Sequence, residues 1–347
     1  MEDVMREAMF WSPLEGGQVR CELCRFHCVI GAGHRGRCRV RENRDGVLYS
    51  LNDGLAIAAH IDPIEKKPLF HVLPGSRSYS IATVGCNFRC RHCQNASISQ
   101  LESAHAAVRG DSLPPKQVVG LALSAACQSI SYTYTEPTVF YEYMYETARL
   151  ARQEGLLNVM VSNGYMAEEP LRHLAPYLDG ANIDLKGFSE SFYREVCGAQ
   201  LAPVLDSLKL FKELGIWLEV TTLVIPGYND DEEQLGGIAR FIAEQLDVET
   251  PWHVTAFYPT YRLTNVPPTP VESLVRARNL GEKAGLNYIY LGNVASGRGE
   301  DTRCRQCGKT LIERHGFQVA RNRLYHGTCP GCGTPLSGVR LDDGGIN

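Results

Sequence analysis

Eleven of the chain's thirteen cysteines fall into three groups, and their spacing is the most chemically informative feature of the sequence. Cys86, Cys90 and Cys93 form a C-x3-C-x2-C loop, whereas Cys21, Cys24, Cys28 and Cys38 lie before it and Cys304, Cys307, Cys329 and Cys332 after it. Four thiolates can close a tetrahedral metal site, while three leave a coordination position open for chemistry. Three thiolates on one short loop can hold three irons of a [4Fe-4S] cluster, with the fourth iron free to bind a small chelator. The pairs Cys304/Cys307 and Cys329/Cys332 are C-x2-C-G knuckles of the zinc-ribbon or rubredoxin kind, so zinc is expected there ahead of a single iron. The first group is spaced less regularly, and zinc is expected to fill it ahead of an auxiliary iron-sulfur cluster. Cys127 and Cys197 stand apart and read as buried apolar thiols.

The elements that must position these groups are legible between residues 78 and 292. Short β-branched runs alternate there with helical patterns, as in parallel βα units. Strands are expected over 79–84, 129–133, 158–161, 181–185, 218–224 and 253–258, with a final one over 288–291. Helices are expected over 116–126, 139–154, 170–177, 203–214, 231–246 and 271–284. Six such units form either an open doubly wound sheet or a partial barrel, and in both the ligand binds at the strand ends. Glu136, Ser162, Asn163, Asp184 and Lys186 lie at such ends, and His253 lies on the sixth strand.

Composition bounds the rest. The 347 residues suggest two or three folded units; 44% are hydrophobic, 21% are charged, and the net charge of −4 gives no overall signal for nucleic acid or an anionic membrane. No apolar run is long enough to span a bilayer, and the acidic N-terminus has no signal-peptide pattern, so a cytoplasmic protein with metal-binding thiols and no disulfide framework is expected. The expected division is a cysteine-rich segment over 1–75, a core over 76–299 and a ribbon-like segment over 300–347. Seven arginines between Arg20 and Arg44 read as a solvated basic face, able to attract an acidic electron donor such as flavodoxin or ferredoxin, or RNA.

The Cys86–Cys93 loop at the end of the first strand resembles the radical S-adenosylmethionine (SAM) superfamily. Together with Cys21-Glu22-Leu23-Cys24, Arg41-Glu42-Asn43, Tyr132-Thr133-Tyr134-Thr135-Glu136-Pro137 and Asp184-Leu185-Lys186-Gly187, it resembles the AmmeMemoRadiSam system radical SAM enzymes, which are related to the pyruvate formate-lyase activating enzymes. The resemblance implies a partial (β/α)6 barrel and an oxidoreductase-type enzyme that reductively cleaves SAM. It implies a 5'-deoxyadenosyl radical that abstracts hydrogen from a protein glycine, a small molecule or RNA. It also implies that Phe88 and His92 lie beside the cosubstrate, that Glu136 binds its ammonium in place of a Gly-Gly-Glu motif, and that Ser162, Asn163, Asp184 and Lys186 surround its carboxylate, its ribose or a monovalent cation. The segment containing Thr222, Val224 and Pro226 is expected to support the adenine, with His253 pointing into the site. The competing reading is a non-catalytic metal-binding scaffold that binds protein or RNA through its ribbons.

Overall fold

A computed structural model describes residues 5–103, 105–294 and 299–342. Its centre is an eight-stranded sheet built from β1 (Ala58–Pro63), β2 (Arg77–Ala82), β3 (Ser129–Tyr132), β4 (Leu157–Ser162), β5 (Gly180–Asp184), β6 (Trp217–Val224), β7 (Trp252–Ala256) and β8 (Ile289–Gly292). Strands β2 to β8 are parallel and lie side by side in chain order, without the reversal that defines a doubly wound sheet. The result is a partial barrel with a seventh parallel strand, and β1 is added antiparallel on β2. Between these strands run α1 (Pro115–Ser124), α2 (Tyr141–Gln153), α3 (Glu168–Leu174), α4 (Ala202–Glu213), α5 (Glu232–Phe241) and α6 (Val271–Lys283).

Local chemistry explains the element ends. Asp231 caps α5 by accepting from Gln234 N at 2.9 Å, and Glu232 and Glu233 on its first turn complement the helix dipole. The expected single helix over 231–246 continues as one π-type turn, Ile242–Leu246. The outward face of the sheet packs Ile81, Ile130, Met160, Ile183, Val220 and Val254 against the helices in one apolar core. The inward face is polar. It carries Ser78 and Ser131, hydrogen-bonded at 2.6 Å, together with Asn182, Glu219, His253 and Tyr290.

The C-terminal segment, β9 (Thr302–Arg303), β10 (Thr310–His315) and β11 (Gln318–Asn322), packs at the open seam of the barrel. Arg314 on β10 donates to Phe70 O at 2.7 Å and to Thr302 Oγ1 at 2.8 Å, and its guanidinium lies 4.3 Å from the Phe70 ring centroid. The buried His71 ring bridges the two sides, with Nδ1 2.8 Å from Ser337 O and Nε2 2.7 Å from Tyr290 Oη. Burial lowers the pKa of His71 from 6.5 to about 4, so the folded chain keeps it neutral. Between those two values the unfolded chain binds more protons, and stability therefore falls as pH drops from 6.5 toward 4, by at most about 3 kcal/mol. Urea midpoints at about pH 6.5 and 5 check this. His71→Gln is expected to flatten the dependence in that window, and an unchanged slope would assign it to other groups.

Candidate active site

The three-cysteine loop leaves β2 through Gly85, which has φ of +109°; a Cβ there would lie 2.9 Å from Val40 Cγ1, so the position accepts glycine alone. Two backbone bonds then pin the loop to the π-type turn Tyr193–Cys197: Arg89 N donates to Cys197 O, and Arg91 N donates to Val196 O, both at 2.9 Å. Arg37 of the N-terminal segment holds the same region by donating to Asn87 O at 3.0 Å and to Gly198 O at 2.5 Å.

Cys86, Cys90 and Cys93 line a cavity of about 1070 Å³ at the C-terminal ends of the parallel strands. Phe88 N lies 3.4 Å and Asn163 Nδ2 3.9 Å from Cys86 Sγ, and Ser99 Oγ lies 3.1 Å from Cys93 Sγ. Burial pushes the Cys86 and Cys93 thiols up, while the neighbouring Cys197 followed by burial pushes up Cys90. A dry site of this kind disfavours bare thiolates, and metal coordination compensates for that penalty. Donors aimed at sulfur and three convergent thiols therefore suit an iron-sulfur cluster.

Glu136 sits beside the loop and is the most heavily bonded group in the cavity. Its Oε1 accepts from Thr138 N at 3.0 Å, Thr138 Oγ1 at 2.6 Å and Ser162 Oγ at 2.8 Å; Oε2 accepts from Asn163 N at 2.9 Å. Burial nevertheless pushes its carboxyl up, so a cationic ligand would be a favourable partner. Asn163 also donates to Asn87 Oδ1 at 2.7 Å, which ties the third strand end to the cysteine loop. Asp184 and Lys186 form an ion pair at 2.7 Å; burial works against the lysine charge, but Asp184 together with the nearby Cys90 and Cys197 sulfurs more than offsets it and holds the pKa up. His92 is buried, stacks on Phe192 at 6.4 Å between centroids, and is lowered to about 3 by burial and then by Lys186.

The structure thus brings Cys86, Phe88, Cys90, His92, Cys93, Glu136, Ser162, Asn163, Asp184, Lys186 and His253 to one cavity. Thr222, Val224 and Pro226 are not on its wall; Thr221, Leu223 and Thr255 are. Thr222 Oγ1 instead donates to Leu185 O at 2.9 Å and accepts from Trp252 Nε1 at 3.0 Å. His253 lies deep in the barrel, 2.7 Å from Glu219 Oε2. Burial raises the Glu219 carboxyl, but the hydrogen bond with His253 and the neighbouring His71, whose backbone N–H also donates to it, bring it below its ordinary value. Cys197 lies beside the loop: its Sγ, Cys90 Sγ and a His92 ring nitrogen are within 4.8 Å of one another.

Several wall residues escaped the reading of the sequence. Glu65, Lys67 and Tyr134 line the cavity, as do Arg314, His315 and Phe317 of the C-terminal hairpin. Lys67 pairs with Asp62 at 2.6 Å and sits 4.3 Å from the Tyr134 ring centroid. Tyr134 has φ of +62°, unusual for a non-glycine residue, and Asn95 Nδ2 donates to its carbonyl at 2.7 Å.

The outer cysteine groups differ in geometry. In the C-terminal one Cys304 and Cys332 sulfurs lie 3.5 Å apart, Cys307 and Cys329 sulfurs 3.6 Å apart, and all four are within 4.8 Å of one another. Metal–sulfur bonds of about 2.3 Å in a tetrahedron give an edge of about 3.8 Å, so one ion fits. Cys21, Cys24, Cys28 and Cys38 line a small cavity of their own. All thirteen cysteines are free thiols, and no helix among the described residues is long and apolar enough to cross a membrane. Of the seven arginines from Arg20 to Arg44, only Arg20 and Arg44 are exposed; Arg41 is buried and the other four are half-buried.

Comparisons with known proteins agree with this architecture. The model of the radical SAM superfamily matches residues 80–236. An uncharacterized protein of Methanocaldococcus jannaschii is 50% identical over 315 residues, covering 91% of this chain and 93% of the relative. The pyruvate formate-lyase 1-activating enzyme of Escherichia coli is 20% identical over 218 residues, covering 59% of this chain and 89% of that enzyme. Among solved structures, Streptococcus suis SuiB bound to S-adenosylmethionine aligns with a TM-score of 0.51 at 13% identity, covering 67% of this chain and 53% of SuiB, a likeness of fold.

Proposed function

Because the chain belongs to the radical SAM superfamily and is an enzyme of that type, we propose that Cys86, Cys90 and Cys93 hold the catalytic [4Fe-4S] cluster and that SAM binds beside it, against Glu136. Such a cluster supplies one low-potential electron to the sulfonium, giving methionine and a 5'-deoxyadenosyl radical that takes a hydrogen atom from a second molecule. The observation that carries this reading is the convergence of the three thiols and the Glu136–Ser162–Asn163 network on one cavity. At about 1070 Å³ the cavity exceeds the usual size of a single small-molecule site, which leaves room for a cosubstrate and a substrate group together.

Each residue then has a task that follows from its bonds. Oε1 of Glu136 is occupied by three donors, whereas Oε2 has one and retains lone-pair capacity for the SAM ammonium. Lys186, held in place by Asp184, offers a cation to the methionine carboxylate or a ribose oxygen. His92 and Phe88 present flat faces that exclude water next to the loop. Leu223 is the member of the Thr222–Pro226 segment that lines the cavity, and it is left for the adenine. The four C-terminal thiols hold a structural zinc ion, and the hairpin they stabilise forms part of the substrate wall. The electron comes from a reducing partner such as flavodoxin or ferredoxin. The abstraction target is a glycine of a partner protein, in keeping with the activating enzymes, and a small molecule or RNA is the alternative outcome of substrate trials.

Anaerobic reconstitution with iron and sulfide, followed by dithionite and SAM, is expected to yield 5'-deoxyadenosine. A fully loaded, reducible preparation that gives none would sink the reading in favour of a metal-binding scaffold. Glu136→Gln keeps the shape and loses the charge, so SAM affinity is expected to fall by about tenfold or more, the worth of a charge-assisted hydrogen bond. Equilibrium dialysis against labelled SAM measures it, and an unchanged Kd would remove Glu136 from the ammonium site.

A further inference from the structure

The three cysteine groups separate by how closely their sulfurs approach. Among the described residues, two sets of three or more potential ligands have all their ligand atoms within 4.8 Å of one another: the four C-terminal cysteines, and Cys90 with His92 and Cys197. The N-terminal four are not such a set, and neither are Cys86, Cys90 and Cys93. One tetrahedral zinc ion requires sulfurs about 3.8 Å apart, as an edge built on 2.3 Å bonds. A cubane places a separate iron under each thiolate, which spreads the sulfurs beyond what one ion can gather. The N-terminal group, like the catalytic loop, is therefore not a tight one-ion set of the kind the ribbon forms.

Its surroundings point the same way. Cys21, Cys24, Cys28 and Cys38 all line one cavity of about 20 Å³, whose wall also includes the apolar Leu23, Ile30 and Val139, the cations Arg37 and Arg41, and Asn87 and Thr138. Asn87 is 1% exposed and lines this cavity, and among the described residues its Nδ2 has no hydrogen-bond partner, so it is a buried donor available to a sulfide or thiolate. Asn87 is also the neighbour of Cys86 in the catalytic loop, and its Oδ1 accepts from Asn163 Nδ2. Thr138, on the same wall, is the double donor to Glu136. The N-terminal thiols thus stand directly behind the loop, separated from it by Asn87.

We propose that Cys21, Cys24, Cys28 and Cys38 ligate a second, fully cysteine-bound [4Fe-4S] cluster, a one-electron centre set against the back of the catalytic loop. The inference rests on the reading of Cys86, Cys90 and Cys93 as a cluster site, since it uses that loop as its spacing reference. A closed set of four thiolates leaves no iron open to SAM, so this centre accepts one electron at a time from the reducing partner and does not bind the cosubstrate.

The test is metal and sulfide analysis of the full chain after anaerobic reconstitution, with Mössbauer and EPR spectroscopy of the same samples. The wild type is expected to hold about eight irons and eight sulfides with about one zinc, and the triple variant Cys86→Ala/Cys90→Ala/Cys93→Ala about four irons and four sulfides. Reduced wild-type protein is expected to show two EPR signals, only one of them shifted by SAM, a readout that needs no variant to fold. About four irons and two zincs in the wild type, with none of the iron surviving in the triple variant, would overturn the second cluster while leaving the catalytic one intact. A wild type that takes up no iron and sulfide at all would overturn both readings together.

Discussion

Cys90→Ala is expected to reduce 5'-deoxyadenosine formation to the background of the cluster-free protein, a loss of at least about a thousandfold. In the proposed assignment Cys90 is the middle ligand of the loop, and removing it would leave Cys86 and Cys93 to hold a cluster whose fourth iron must stay open. Two thiolates cannot do this stably, so cluster, cosubstrate site and electron supply are lost together. The effect is larger than that of Glu136→Gln, which weakens binding but leaves the redox centre in place. One feature of the structure sharpens the test: Cys197 lies within 4.8 Å of Cys90 and His92. A vicinal thiol can rescue a missing ligand, so the Cys90→Ala/Cys197→Ala double variant is included in the comparison. Anaerobic turnover with dithionite, normalised to iron and sulfide content, measures the outcome. Wild-type activity in the double variant would remove Cys90 from the ligand set, whereas activity in the single variant alone would mark Cys197 as its substitute.

The sequence carried this site unevenly. Cysteine spacing is written directly in the chain, and Glu136, Ser162, Asn163, Asp184 and Lys186 could be read because they follow runs that end as strands. Periodicity also placed all seven parallel strands to within two residues of their ends, while chain-order pairing of the sheet selected a barrel over a doubly wound sheet. What periodicity does not supply is phase on a strand buried on both faces. Glu219, Thr221 and Leu223 face the inside of β6, and Thr222 and Val224 face the helices, yet the run Glu219–Val224 gives no contrast to tell them apart. Long-range closure was equally hidden. β1 lies in a region that reads as a cysteine-rich appendage, and its Asp62 meets Lys67 and Tyr134 only because β1 pairs with β2. Likewise Arg314 reads as one charge on a ribbon, and its place in the cavity wall follows from docking at the barrel seam. The basic run from Arg20 to Arg44 reads as a solvated face for the same reason. Arg35, Arg37 and Arg39 spend their donors on carbonyl oxygens of the core, and that pairing depends on tertiary contacts.

The second large effect concerns how the N-terminal segment is held on the barrel. Arg41, three residues after Cys38, is paired with Glu142 on α2, and both side chains are almost wholly buried, at 1% and 0% exposure. Glu142 Oε1 also accepts from Met9 N at 2.7 Å, and Arg41 Nη1 donates to Met9 O at 3.0 Å. Burial works against the Arg41 charge, but Glu142 and the nearby thiols Cys21 and Cys38 more than compensate and keep the guanidinium protonated. Glu142→Ala therefore strands a buried cation and is expected to destabilise the fold by about 3–5 kcal/mol. The pair is not perfectly satisfied, because among the described residues Arg41 Nε and Glu142 Oε2 have no hydrogen-bond partner. Removing both charges at once should consequently be far milder, and Arg41→Met/Glu142→Leu is expected to lie within about 2 kcal/mol of the wild type. Urea unfolding of the three proteins at neutral pH gives the comparison. Additive losses in the double variant would show that the two side chains act independently and that the ion pair is not what fastens the cysteine segment to α2. Because Arg41 faces Cys21 and Cys38, Glu142→Ala should also release metal from the N-terminal thiols before the ribbon loses its own. That order follows from the structure, since the ribbon is held on the barrel through Arg314, Phe70 and His71.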